Sequence, residues 1–204
     1  MPDTSEPKAP DSPAILSVGH SNLAYDAFLA LLRGAGVTAV ADVRSVPRSK
    51  AFPHFDAPAL KRRLAADGVA YVWMGRELGG RPSDQHLYRE GVADYATMAG
   101  LPSFRRGLER LRDGAARYRV AMMCSEAEPT ECHRCLLVGR ALHDDGMTVC
   151  HVMRDGRTVS QAAVEAYLLA LSGQLGEDLF RTRDERVDAA YRVRARRVAH
   201  ASGD

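Results

Sequence analysis

The chain has 204 residues, enough for one globular domain with short tails at about 150 residues per domain. Apolar residues make up 46% and charged residues 26%, which excludes a disordered, collagen-like or disulfide-dense protein. The formal net charge of +2 favours no particular partner, and no apolar run reaches the roughly 18–20 residues of a spanning helix, so no membrane is expected as a partner.

Residues 1–13 combine prolines, serines and mixed charge without the apolar stretch of a secretory signal, and read as a disordered leader. Order is expected from Ala14, where residues 14–18 form a short apolar strand halted by Gly19-His20-Ser21-Asn22. Residues 24–35 predict a helix, with Phe28, Leu31 and Leu32 on one face and Asn22 as its cap. A strand follows at 37–43, a helix at 57–66, a strand at 69–74, a helix at 104–115, a strand at 118–123, a helix at 131–143, a strand at 147–152 and a helix at 159–171.

Five short, continuous apolar runs separated by helical segments are the pattern of strands buried on both faces. The fold class is therefore α/β, a single open, mostly parallel five-stranded sheet flanked by helices over residues 14–172. Residues 173–204 form an Arg-rich extension, read as helical from Leu179, Val187, Tyr191 and Val198, through which the chain could self-associate.

Arginine supplies 25 of the 28 basic residues; it is the better bidentate fork for phosphate or carboxylate, although codon drift toward Arg produces the same bias. Cys124, Cys132 and Cys135 crowd into twelve residues and Cys150 stands apart, unlike a secreted disulfide framework, so reduced thiols in a cytoplasmic compartment are expected.

In open parallel sheets, ligands bind beyond the carboxyl ends of the strands. Four predicted strand ends carry polar residues: His20 and Asn22, Asp42 to Ser49, Gly75 to Pro82, and Cys124-Ser125-Glu126. Cys132 falls in the first turn of the predicted helix at 131–143, where unpaired N–H groups and the dipole favour a thiolate, with His133 and Arg134 beside it. Cys124, Cys132, His133, Glu126 and His20 are the candidate catalytic residues; packing of small buried cysteines is the plain alternative.

Arg44, Arg48, Lys50 and Arg134 are candidate anion contacts, with Phe55 near enough to stack a ring. Asp42 could orient Arg44, and Glu77 with Gly79 makes a turn in which backbone approaches a neighbour closely. Tyr71 and Trp73 read as strand core. No cofactor is expected; a metal held by Cys124, Cys132 and Cys135 is the off-pattern alternative, because zinc ribbons need two separated pairs.

These segments resemble the family known as domain of unknown function 488. The resemblance is carried by Val18-Gly-His-Ser-Asn22, Asp42-Val-Arg-Ser-Val-Pro-Arg-Ser49, Phe52 with Phe55, Tyr71, Glu77-Leu-Gly-Gly-Arg-Pro82, Cys124-Ser-Glu126 and Cys132-His-Arg134. It implies a compact α/β domain in which these segments share a pocket, bringing Tyr71, Gly79 and Arg81 into the ligand-binding set, and it implies no established reaction. The expected function is an enzyme, a cysteine-dependent hydrolase or transferase, acting on an anionic, nucleotide-like ligand. The alternatives are a nucleic-acid- or nucleotide-binding module whose segment 181–197 tracks a phosphate backbone, and a cysteine-bound metal or redox sensor.

Overall fold

The computed structural model describes residues 14–174, 176 and 179–202; the expected leader at 1–13 lies outside the described residues. In chain order the elements are β1 (Ala14–Gly19), α1 (Tyr25–Gly34), β2 (Ala39–Asp42), α2 (Ala57–Ala66), β3 (Ala70–Trp73) and the single turn α3 (Gly75–Leu78). A small hairpin, β4 (Tyr88–Arg89) and β5 (Val92–Ala93), leads to α4 (Tyr95–Ala99), α5 (Pro102–Ala115) and β6 (Val120–Cys124). A π-helical turn (Arg134–Gly139) runs into α6 (Arg140–Asp144), followed by β7 (Thr148–Val152), β8 (Thr158–Ser160), α7 (Gln161–Leu171) and α8 (Arg183–Val198).

The main sheet has six strands in the order β3-β2-β6-β1-β7-β8. The first five run parallel, and β8 pairs antiparallel with β7. The architecture is the expected open, mostly parallel sheet flanked by helices, with six strands rather than five. The sixth comes from Thr158–Ser160, which sequence periodicity assigns to the head of the following helix. Gly156, at φ 82°, turns the chain back along β7, and the Ser160 hydroxyl then caps α7 by accepting from the Ala163 N–H.

The central strands β2 and β6 are buried at every position, whereas edge strand β3 alternates between exposed and half-buried residues. Side chains alternate between two cores. Leu16, Val18, Ala121 and Met123 pack with Phe28, Leu32, Leu60 and Leu64 of α1 and α2. Ile15, Val120 and Met122 pack with Leu108, Leu111, Leu142 and Leu168 of α5, α6 and α7. Val187, Ala190 and Tyr191 of α8 join this second core, so the predicted helical tail folds back onto the domain. A capping box, Thr182 with Glu185, starts that helix. Among the described residues no helix is long and apolar enough to cross a membrane.

The topology positions the site. Helices α1 and α2 cover one face and α5 and α6 the other, while β6 is inserted between β1 and β2. Neighbouring strands therefore send their chains to opposite faces, which opens a crevice at their carboxyl ends.

On the second face a polar relay crosses the core. His151 Nε2–H donates to Gln161 Oε1 (2.8 Å), and the Ser17 hydroxyl lies 2.7 Å from His151 Nδ1. The Gln161 amide donates to the Tyr191 hydroxyl (2.5 Å), which ties α8 to α7. Burial, then the Arg134 charge, lowers His151 from 6.5 to about 4. The unfolded chain takes up this proton near 6.5 and the folded chain only near 4, so stability falls as pH drops through that window, by about 3 kcal/mol from this group. Urea unfolding between pH 7 and 4 is expected to show His151→Gln with a shallower loss than the native chain; parallel curves would assign the acid sensitivity elsewhere.

Candidate functional site

Four strand-end segments meet at this crevice. The His20 N–H donates to the Cys124 carbonyl (2.9 Å) and the Ser21 N–H to the Ser125 carbonyl (2.8 Å), which continues the β1–β6 pairing past the strands. The Val43 N–H donates to the Met123 carbonyl from the β2 side. Between them lies a cavity of about 320 Å³. Cys124, Glu126, Cys132 and His133 line it together with Arg44, Arg48 and Arg81.

Cys124 closes β6, and Cys132 stands eight residues on across a loop. The chain does not enter a helix at Glu131 as expected. Pro129–Glu131 forms a 3-10 turn, Cys132 is extended (φ −139°, ψ 140°), and helical geometry begins at His133. The Cys132 sulfur nonetheless accepts the Arg134 N–H at 3.5 Å. Both thiols donate to the same carboxylate oxygen, Glu126 Oε2, Cys124 at 2.9 Å and Cys132 at 3.0 Å. His133 Nδ1 lies 3.7 Å from the Cys124 sulfur and 3.8 Å from the Cys132 sulfur. The other ring nitrogen, Nε2, carries a proton, because it donates to the Val43 carbonyl at 2.9 Å. A Cβ on Gly80 would sit 2.6 Å from His133 Cγ, so glycine at this position sets the floor on which the ring rests.

Burial raises the Cys132 thiol, but the hydrogen bond with Cys124, the Arg134 charge and His133 outweigh it and hold it well below the ordinary thiol range. Burial and the neighbouring Cys132 push Cys124 the other way. Burial lowers His133 and the Cys132 charge more than offsets this, raising it; burial and Cys132 also raise the Glu126 carboxyl. The cluster thus holds one negative charge readily and resists a second.

Several expected contacts serve the scaffold instead. Arg134 is fully buried, and its guanidinium donates to the carbonyls of Glu126 (2.7 Å) and Ala127 (2.9 Å), so it shapes the 126–127 loop and does not reach the cavity. Arg44 borders the cavity, yet its fork is spent on Asp42 (2.9 and 2.6 Å) and the Phe55 carbonyl (2.8 Å). Asp42 also accepts from the Tyr71 hydroxyl (2.7 Å), so Asp42, Arg44 and Tyr71 form one closed network. His20 stacks on buried Phe55 at 4.1 Å; its Nδ1 donates to the Ser21 carbonyl and its Nε2 faces Arg44 Nη1 at 3.2 Å. Burial, with Arg44 adding to it, lowers His20 to about 4, which leaves a neutral, fully engaged ring in place of the expected proton carrier.

Asn22 does not cap α1, whose cap position is Ala24; its side chain accepts from Arg154. Glu77 pairs with Arg110, Gly79 packs against Ser45, and Lys50 is exposed away from the cavity walls. Cys135 turns toward Gln161, which removes it from the alternative metal set. Exposed Arg48 and Arg81 remain at the cavity with guanidinium groups that have no partner among the described residues.

Sequence reasoning missed the far wall. Tyr95 from α4 and Val198 and His200 from the end of the chain line the same cavity. The chain end is fastened there by the Ala93 N–H to His200 carbonyl bond (3.0 Å) and by Arg194, which donates to the Thr130 carbonyl (2.8 Å). A larger cavity of about 600 Å³ shares Tyr95 and runs between α4, α6 and α8. Its walls carry no thiol or imidazole, so the smaller one is the candidate site.

The arginines divide by role. Arg44→Met strands the Asp42 carboxylate in the core and is expected to cost about 3–5 kcal/mol of stability, whereas Arg48→Ala and Arg81→Ala shift it by less than about 0.5 kcal/mol. Urea denaturation of the three variants checks this; equal losses would show that Arg48 and Arg81 are structural.

Comparison with curated proteins and with solved structures gives no significant match. The family model described as "Domain of unknown function DUF488" matches residues 24–141, more than half of the chain, and takes in Asp42, Arg44, Gly80 and the whole segment from Cys124 to Arg134. The two unpaired arginines, the thiols and the imidazole all fall within that span, and the chain belongs to the DUF488 family.

Proposed function

We propose that the protein is an enzyme acting on a small, phosphate-bearing, nucleotide-like anion bound in the 320 Å³ cavity, with Cys124, Glu126, Cys132 and His133 as its reacting centre. One observation carries this reading: four chemistry-bearing side chains converge in a cavity that also carries two guanidinium groups without partners among the described residues. A free guanidinium is a pre-shaped donor fork for phosphate oxygens. The cavity's size suits a ligand of that class.

The residues take distinct parts. Arg48 and Arg81 grip the anion, while buried Arg44 contributes fixed positive charge to the wall without leaving Asp42. Cys132 and Cys124 supply sulfur to the centre, and Glu126, the shared acceptor of both thiol protons, is placed to take a proton. Hydrolysis or group transfer is the reaction class this set supports.

A nucleic-acid track along the chain end is less well supported. Arg183, Arg186, Arg194 and Arg196 in α8 are each engaged with Glu165, the Gln174 carbonyl, Glu131 and Glu90 respectively. That leaves Arg181, Arg192 and Arg197 of the segment for a phosphate backbone.

Isothermal titration with inorganic pyrophosphate tests the reading. The native chain should bind one equivalent, and each of Arg48→Ala and Arg81→Ala should weaken binding by about tenfold, the worth of a charge-assisted contact. Affinity unchanged in the double variant would overturn the assignment.

A further inference from the structure

We propose that Cys124, Cys132, His133 and Glu126 form a binding site for a thiophilic divalent ion of the zinc type. This deepens the reading above by naming what its reacting centre holds, and rests on that reading only for the claim that the centre reacts.

The geometry is that of a ligand set more than of a nucleophile with its base. A nucleophile–base pair joins one sulfur to one ring nitrogen. Here Nδ1 is shared at nearly equal distances by two sulfurs, 3.7 and 3.8 Å. Both sulfurs and Nδ1 lie within 4.8 Å of one another. With metal–sulfur bonds near 2.3 Å and metal–nitrogen bonds near 2.0–2.1 Å, a tetrahedral ion sets such atoms roughly 3.5–3.8 Å apart. Glu126 Oε2 touches both sulfurs and completes four donors at rest; it must leave that fourth position to take a proton and open the ion to a ligand. At 2.9 and 3.0 Å it sits closer than around an ion, so loading moves it outward by roughly half an ångström.

The surroundings fit as well. A ligating histidine characteristically donates its other ring N–H to a backbone carbonyl or carboxylate, which fixes its orientation. His133 Nε2–H does so to Val43, and Gly80 supports the ring from below. The Arg134 N–H on the Cys132 sulfur offsets thiolate charge. Two sulfurs and an imidazole select a zinc-type ion over magnesium or calcium. Loading displaces the Cys124 S–H proton and whatever proton is shared between Cys132 and His133 Nδ1, and replaces them with sulfur–metal and nitrogen–metal bonds; the protons leave to solvent and no electron is transferred.

The test uses the full chain, titrated with zinc after chelator treatment against a chromophoric competitor, with metal content measured on the untreated protein. About one zinc per chain is expected, with Cys124→Ser, Cys132→Ser and His133→Ala each weakened by about a hundredfold or more and Cys135→Ser unchanged. A second readout needs no variant. Zinc should shield Cys124 and Cys132 from alkylation, mapped by mass spectrometry, while half-buried Cys150 reacts at the same rate with or without it. No stoichiometric zinc and no zinc-dependent shielding would overturn the site, as would equal loss in Cys135→Ser. Pyrophosphate titration of the same samples separates the two claims. Arginine-dependent anion binding without zinc binding removes the ion alone, and zinc binding without anion binding removes the ligand assignment alone.

Discussion

The site depends on one topological constraint, the insertion of β6 between β1 and β2. Without it, His20, Asp42 and Cys124 would end strands whose chains all leave toward one face. With it, β6 sends its chain to the face opposite α1 and α2, and a crevice opens between the strand ends. Glycine makes the close approach workable. A Cβ on Gly19 would lie 1.9 Å from the Glu126 carbonyl oxygen, so the loop after β6 passes over the end of β1 only because that residue has no side chain. Arg134 then holds the same loop from the other side through the Glu126 and Ala127 carbonyls.

Two buried arginines therefore act as internal braces. The Asp42–Arg44 pair, 3% exposed or less, and Arg134 both carry desolvation costs that a hydrophobic replacement would avoid. What they provide is position: Arg44 fixes the loop after β2, whose Val43 carbonyl orients His133, and Arg134 fixes the loop that carries Glu126. The cysteine–imidazole cluster is thus held by groups whose own donors are spent on the scaffold. Arg48 and Arg81 brace nothing among the described residues, which is what the proposed anion reading rests on.

The five parallel strands were legible because double burial leaves uninterrupted apolar runs. β8 was not, since three residues of polar and β-branched character adjoining a helix carry no periodicity of their own. Clustering at the strand ends pointed to Cys124, Glu126, Cys132 and His133 as neighbours, and their side chains do meet at one cavity. Their chemistry was less visible: a sequence shows that Arg134 and Arg44 are charged, but not that carbonyls take both terminal nitrogens of Arg134 and a carboxylate the fork of Arg44. The same blindness assigned His20 a proton-carrying part and Cys135 a place beside Cys132, when burial and packing turn both elsewhere. Val198, legible only as part of a helical stripe, and His200 gave no sign of the cavity, because only the folded-back α8 carries them to one built from residues 44–133.

A crystal structure of the protein soaked with pyrophosphate tests the central claim most directly. The account predicts anion density bridging the guanidinium groups of Arg48 and Arg81 in the cavity that holds Cys132 and His133. Density seated instead in the larger cavity between α4, α6 and α8, with the smaller one filled only by solvent, would contradict it.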